Sequence, residues 1–186
     1  MKKLTYLFIL LASGTCLGQQ AGDIEIGIFA GISASNIVSA QDLIDSRLRP
    51  GVNGGVSADY YFSEAVSLEA EVYFNQNGRV IDKLSSDDGR AARTLSLHYI
   101  TLAALPNYHF GQEYNWYVMA GPYISFLAGA NQGRSSVKNE IKNNDVGLTG
   151  GLGYEFSLSE GSSTGFFVEL VHQLGISNII KDNVNE

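Results

Sequence analysis

From Leu95 to Phe126 every second residue belongs to one of two chemically different faces. In LSLHYITLAALPNYHF, residues Ile100, Leu102, Ala104, Pro106, Tyr108 and Phe110 share one face, and Tyr99, Thr101, Ala103, Leu105, Asn107 and His109 share the other. In WYVMAGPYISF, Trp116, Val118, Ala120, Pro122, Ile124 and Phe126 alternate with Tyr117, Met119, Gly121, Tyr123 and Ser125. A period of two marks β-strands, and the short polar turn Gly111 to Asn115 makes the two a hairpin with one apolar and one mixed face.

The same pattern recurs along the chain. Ile24, Ile26, Ile28, Ala30 and Ile32 oppose Glu25, Gly27, Phe29, Gly31 and Ser33 in a first strand. A loop from about Ser35 to Arg49 follows, in which Ala40 to Leu48 is compatible with a short helix. The second strand, Gly51 to Phe62, and a third containing Leu68, Ala70, Val72 and Phe74 form a hairpin around a turn at Ser63 to Ala65. A polar loop, Lys83 to Arg93, leads to the central hairpin, and a long loop, Gly129 to Asn144, leaves it. The sixth strand carries Val146, Leu148, Leu152, Tyr154 and Phe156 on its apolar face. The seventh carries Phe166, Val168, Leu170, His172 and Leu174, after a turn at Ser159 to Thr164.

Short and long connections alternate, as in an antiparallel meander crossing a slab. Aromatic residues flank each short turn: Tyr60, Tyr61 and Phe62, then Tyr108, Phe110, Trp116 and Tyr117, then Tyr154, Phe156, Phe166 and Phe167. On the apolar face, Tyr60, Phe62, Tyr108, Phe110, Trp116, Tyr154, Phe156 and Phe166 match a membrane-interface girdle on the periplasmic side, because amphipathic rings favour the headgroup level. The basic residues Arg47, Arg49, Arg79, Lys83, Arg90, Arg93, Arg134, Lys138 and Lys142 gather at the long-loop end, and Lys181 lies beyond the last strand. The short turns hold only Glu64, Glu113 and Glu160. Cations at one end suit an outer leaflet rich in phosphorylated lipopolysaccharide. The predicted fold is all-β: an antiparallel up-and-down transmembrane β-barrel of the eight-stranded type, with seven strands countable and the closing strand missing.

The N-terminus reads as a signal peptide, residues 1–18: Lys2 and Lys3, an apolar run from Leu4 to Leu11, then small and polar residues to Gly18. The run is shorter than the ~18 apolar residues a spanning helix needs. Ser13, three before Cys16, is not the leucine a lipidation site favours, so the mature chain, 19–186, is expected to lack cysteine and with it disulfides and thiolate metal sites. Removing Lys2 and Lys3 makes an already acidic chain, of formal net charge −7, more acidic. That argues against a nucleic-acid partner. The composition, 21 Gly, 10 Tyr and 9 Phe with 3 Pro and 1 Trp in 186 residues, fits one glycine-rich β-domain.

The mixed faces carry the candidate chemistry. Glu25, Asp59, Glu69, Glu71, Glu155 and Glu169 form an expected polar network in the lumen, with no Lys or Arg clearly inward on the strands. Unpaired carboxylates there call for protons, cations or basic partners, and the missing eighth strand is the expected source of such partners. His98, His109 and His172 lie on different strands or at opposite ends, without a carboxylate at metal-ligand spacing, and give no zinc site. No serine sits in a G-x-S-x-G setting. Gly150, Gly151 and Gly153 fall within a strand and lack the helix of a phosphate-binding loop. No cofactor, metal or enzymatic activity is expected.

The opening IGIFAGISASNI, the fourth strand YITLAALPNYHF, the fifth YVMAGPYISFLAG and the closing LGISNI resemble the PorT-like small outer-membrane β-barrel family, common in the Gram-negative Bacteroidetes. The resemblance covers the mature chain. It implies an outer-membrane location and a role as a structural or binding protein, or as an accessory of a secretion or envelope-assembly system, with outer-membrane lipid and lipopolysaccharide as surroundings. Two departures stand out. Ala103 occupies the family's strand-proline position, so Pro106 is expected to shift the local bulge. The chain also stops at Asp182 to Glu186, where the family has a last strand ending in an aromatic residue, which is read here as truncation. The loops Ser35 to Arg49 and Gly129 to Asn144 are the expected interaction surface. A soluble periplasmic lipocalin-like barrel binding an apolar ligand is the alternative, with the faces reversed, and an outer-membrane lipid-modifying enzyme is a third.

Overall fold

The computed structural model describes residues 2–14, 20–39, 46–81, 93–133, 135–157 and 165–179; within these, the side chains of 2–14, 37–39, 46–47, 81, 93 and 157 are left aside. Eight long strands run antiparallel: β1 Lys2–Gly14, β2 Ile24–Ser39, β4 Arg49–Ser63, β5 Val66–Ile81, β6 Arg93–Phe110, β7 Trp116–Gln132, β9 Asn144–Ser157 and β10 Gly165–Gly175. Two short pieces, β3 Ser46–Arg47 and β8 Ser135–Ser136, pair onto β5 and β7. Each long strand bonds to two neighbours in the order β1-β2-β4-β5-β6-β7-β9-β10, and β10 returns to β1, so the sheet closes on itself. Among the described residues no helix is long and apolar enough to cross a membrane.

The expected alternation sets the two surfaces. Ile28 lies opposite Val56, Val56 opposite Val72, Val72 opposite Leu102, and Leu102 opposite Ile124, an apolar belt across five strands. Its members Ile28, Val56, Val72 and Leu102 are exposed on the outside. The residues between them turn inward and are mostly buried. Facing residues of adjacent strands share one side of the sheet, so this register keeps a whole belt outside.

Several expectations change. The seam between β2 and β10, expected to lack its strand, is filled by Lys2–Gly14, which pairs with both. In hydrocarbon an unpaired edge leaves backbone donors and acceptors unsatisfied, and the long, mainly apolar N-terminal run meets that demand. This closing strand does not bring basic partners inward at the acidic end: its Lys2 and Lys3 lie opposite Ser39 and Val38, and Leu10 lies opposite Glu169. The strands also run further than the sequence pattern suggested. Ser35–Ser39 and Gly129–Gln132 belong to β2 and β7, and Ser46–Arg47 is extended where a short helix was compatible. About 9–11 residues suffice to span a bilayer, so β2 and β7, at 16 and 17 residues, are longer than a span requires.

Pro106 does not shift the register: Ala103 opposes Tyr123 and Asn107 opposes Met119, while the irregularities fall at His98/Tyr99 and Tyr61/Ser63. Pro106 points outward, where its missing N–H interrupts pairing without displacing the strand. The turn expected at Ser159 to Thr164, like Lys83, Arg90, Arg134 and Lys181, lies outside the described residues.

The belt makes a direct prediction. Val72→Arg, placed mid-belt, is expected to cost about 2–4 kcal/mol in reversible unfolding from phospholipid bilayers. A change within about 0.5 kcal/mol, as at an ordinary water-exposed site, contradicts a lipid-facing belt.

Candidate functional site in the acidic end of the lumen

The lumen is layered along its axis. At the long-loop end Leu97, Leu127, Ala130, Ile141 and Ile179 are buried together in an apolar plug. Lys142 N–H donates to Ile179 O at 2.8 Å and ties the segment after β10 across it. Below lies a band of neutral polar side chains, among them Asn53, Asn75, Thr101, Ser125, Thr149 and Gln173, all buried. Thr101 Oγ1 and Ser125 Oγ stand 2.7 Å apart, and Gln173 Nε2 donates to Tyr73 OH. The carboxylates occupy the opposite end, inside the short turns.

Register brings them there. Glu25 on β2 lies directly opposite Asp59 on β4, and Asp59 directly opposite Glu69 on β5, so three carboxylates form one row across three adjacent strands. Like charges in that relation destabilise a sheet unless something offsets them. Glu71, two residues along, is 5% exposed; Glu69 and Glu169 are 3% and 1% exposed. Glu25, Asp59, Glu69, Glu155 and Glu169 line one cavity of about 40 Å³. The structure thus gathers five of the six expected lumen acids around one space, with Glu71 buried beside them.

Neutral donors from neighbouring strands hold the row. Ser67 Oγ donates to Asp59 Oδ1 at 2.8 Å. Asn107 Nδ2 bridges Asp59 Oδ1 at 3.3 Å and Glu69 Oε2 at 3.2 Å. Tyr61 OH donates to Glu25 Oε2 at 3.4 Å, and Tyr117 OH to Glu169 Oε1 at 2.5 Å. His109 Nε2 lies 3.1 Å from Ser67 Oγ, its ring between those of Tyr61 and Tyr117, each at 5.2 Å between centroids. With the Ser67 proton committed to Asp59, this contact requires the proton on Nε2.

Gly153 makes the Tyr117 contact possible. It lies between Tyr117 on β7 and Glu169 on β10, and a Cβ there would stand 2.1 Å from Tyr117 Cζ. Without a side chain at that position the phenol lies across β9 and reaches the carboxylate. Gly153 thus serves close packing.

Tyr61, Ser67, Asn107, His109 and Tyr117 are the participants that sequence reading did not assign. Tyr61 and Tyr117 stood among the aromatics flanking the short turns, yet they are 0% and 3% exposed. Their odd-numbered positions, in phase with Asp59 and Met119, were the available signal. Asp145 was also missed: it is buried near the long-loop end, accepting from Tyr123 OH at 2.9 Å and from Ser177 Oγ at 2.5 Å.

The outer girdle takes the expected face. Tyr60, Phe62, Tyr108, Phe110, Trp116, Phe156 and Phe166 are exposed outside the barrel, and Tyr154 is half-buried between Trp116 and Phe156, with centroids at 4.8 and 4.6 Å. Arg49 is half-buried at the long-loop end, where its Nη1 donates to Asn77 O at 3.1 Å. Lys138 is exposed and Nζ reaches Ala128 O at 3.2 Å; Arg47 and Arg93 sit at strand ends on the same side. The histidines stay apart, His98 stacking on Phe74, His109 in the lumen and His172 exposed outside. Among the described residues no group of three acidic, histidine or cysteine side chains can hold one metal ion.

A family model described as an outer membrane protein beta-barrel domain matches residues 18–181. No curated protein matches the chain significantly.

Gly153→Ala is expected to displace Tyr117 and cost about 1–3 kcal/mol. Tyr117→Phe leaves Glu169 without its donor, a loss of about 1–3 kcal/mol. Because both act through one contact, the double variant should cost clearly less than the sum in denaturant unfolding, and simple additivity contradicts the arrangement.

Proposed function

The chain belongs to the outer membrane protein β-barrel domain family, and on that premise we propose that it serves as a structural and binding component of the cell envelope, an accessory of secretion or envelope assembly rather than an enzyme. The observation that carries this reading is the division of labour in the barrel. The belt and girdle suit lipid, the lumen is packed, and what is left free to vary for recognition is the long-loop end. The strands that overrun the membrane on that side support loops held clear of the lipid surface.

In this reading the long loops face outward from the cell, among lipopolysaccharide, with Lys138 and the basic residues of neighbouring loops pairing with its phosphates. The short turns and their aromatic girdle face the periplasm. The PorT-like subgroup is the proposed branch of the family. The soluble ligand-binding alternative is disfavoured because it needs an apolar interior, whereas the interior at the short-turn end is lined by carboxylates.

Residues 1–18 are proposed to be a cleaved leader, supported by a family match that starts at residue 18. Cleavage removes β1 and reopens the seam between β2 and β10, so the mature barrel then needs another strand there.

Outer-membrane fractions test this reading. The protein is expected there, with faster gel mobility unheated than heated, and a peptide tag inserted at Lys138–Glu140 should be labelled on intact cells. Recovery in the soluble periplasmic fraction without a mobility shift contradicts the membrane assignment, and a tag labelled only after lysis contradicts the orientation. Mass spectrometry of that material is expected to give Gln19 as the N-terminus; an intact Met1 contradicts the leader.

A further inference from the structure

The outer wall of the barrel is not evenly filled. Where β7, β9 and β10 meet at the girdle, a hollow of about 610 Å³ is walled by Trp116, Leu152, Tyr154, Phe156, Val168 and Leu170. Register sets these side chains together: Trp116 lies opposite Tyr154, Tyr154 opposite Val168, and Leu152 opposite Leu170. The Tyr154 ring meets those of Trp116 and Phe156 edge to face, at 4.8 and 4.6 Å between centroids. Past Leu152 the wall stays low, because Gly150 lies opposite Ala120 on β7. From Phe156 to Gly150 is about 20 Å along the strand, or about 15 Å of depth at a tilt of about 40°. That is one leaflet of a hydrocarbon core about 30 Å thick. The rim beside the hollow supplies charge of one sign. Glu113 is exposed in the turn three residues before Trp116, and Asn115 Nδ2 donates to its Oε2 at 3.2 Å. Glu64 is exposed in the β4–β5 turn and Asp23 is half-buried just before β2, while no Lys or Arg among the described residues lies at this end. Such a rim repels an anionic headgroup and attracts a cationic one.

We propose that this hollow seats one phospholipid with an ammonium headgroup, of the phosphatidylethanolamine type, from the leaflet on the short-turn side. Its acyl chain lies along Leu152, Leu170 and Gly150, and its ammonium pairs with Glu113. The Trp116 indole, at the level of the headgroup, offers an N–H to the lipid's phosphate or ester oxygens. The inference rests on the lipid-facing reading of the belt and girdle. A second copy of the chain is the competing occupant, but two copies side by side in one membrane bring the same acids together at the rim, and like charges disfavour that contact. The described lining comes from β7, β9 and β10, so the site does not depend on a side chain of β1.

Trp116, the single tryptophan of the chain, walls the hollow and reports its occupant. The full chain is reconstituted in vesicles of equal parts phosphatidylethanolamine and phosphatidylglycerol, with bromines on the acyl chains of one lipid or the other. Quenching is expected to be about twofold stronger when the brominated lipid is phosphatidylethanolamine, the size of effect one exposed ion pair gives. Glu113→Gln is expected to make the two lipids quench equally. Leu170→Phe, which fills the hollow and leaves the rim untouched, is expected to lower the preference as well. Equal quenching in wild type, or stronger quenching by phosphatidylglycerol, overturns the proposal and leaves the lipid-facing reading standing; no quenching by either lipid overturns that reading itself. A preference that survives in Glu113→Gln overturns the headgroup assignment. Quenching by both lipids that falls as the protein-to-lipid ratio rises gives the hollow to a second copy and overturns the choice of a lipid.

Discussion

In a hydrocarbon layer no water is available to a backbone N–H or C=O, so every strand must find a neighbour on both sides. That requirement shapes the rest of this chain. It forces closure, which fixes which residues face out and which face in. It explains why the strands continue past the span that lipid requires, since each extension also has partners. It makes the seam between β2 and β10 the sensitive position in the molecule. Lys2–Gly14 satisfies those edges in the whole chain, through continuous pairing from Gly14 opposite Gly27 up to Lys2 opposite Ser39. The strand that completes the ring is therefore the apolar N-terminal run.

Closure also creates a small interior that side chains fill. The apolar plug of Leu97, Leu127, Ile141 and Ile179 seals the long-loop end, and a neutral amide and hydroxyl layer lies beneath it. At the other end the register aligns Glu25, Asp59 and Glu69, an arrangement a sheet disfavours on its own. Tyr117 across Gly153, Asn107 between two carboxylates, and Ser67 beneath His109 are local answers to that cost. They supply hydrogen bonds without supplying positive charge. Among the described residues the bases thus lie at the long-loop end and the buried acids at the other.

Most of the architecture was legible because a strand's period of two admits few readings. Ile24 to Ile32 and Trp116 to Phe126 each assign an outer face residue by residue, and the exposures agree. The six lumen acids were legible for the same reason: each interrupts a face with a charge. The polar partners were harder to see. Tyr61 and Tyr117 have rings that suit a membrane interface as well as a lumen, and phase alone separates them from Tyr60 and Trp116. A base beside a loop reads as solvated, yet Arg49, in phase with Asn53 and Ser57, is half-buried and donates to Asn77 O. The filled seam was not legible at all, since an apolar run with lysines before it reads as a leader whatever it pairs with. Asp145 was hidden because its donors, Tyr123 and Ser177, come from β7 and the segment after β10.

Trp116 is the single tryptophan of the chain, and it stands 44% exposed on the outside at the girdle. It reports directly on whether the apolar face meets lipid. With the full chain reconstituted in phospholipid vesicles, lipids brominated at graded depths should quench its fluorescence, most strongly when the bromines lie near the headgroups. Emission that is insensitive to brominated lipid, with free access for an aqueous quencher, would contradict the outward assignment of the apolar face.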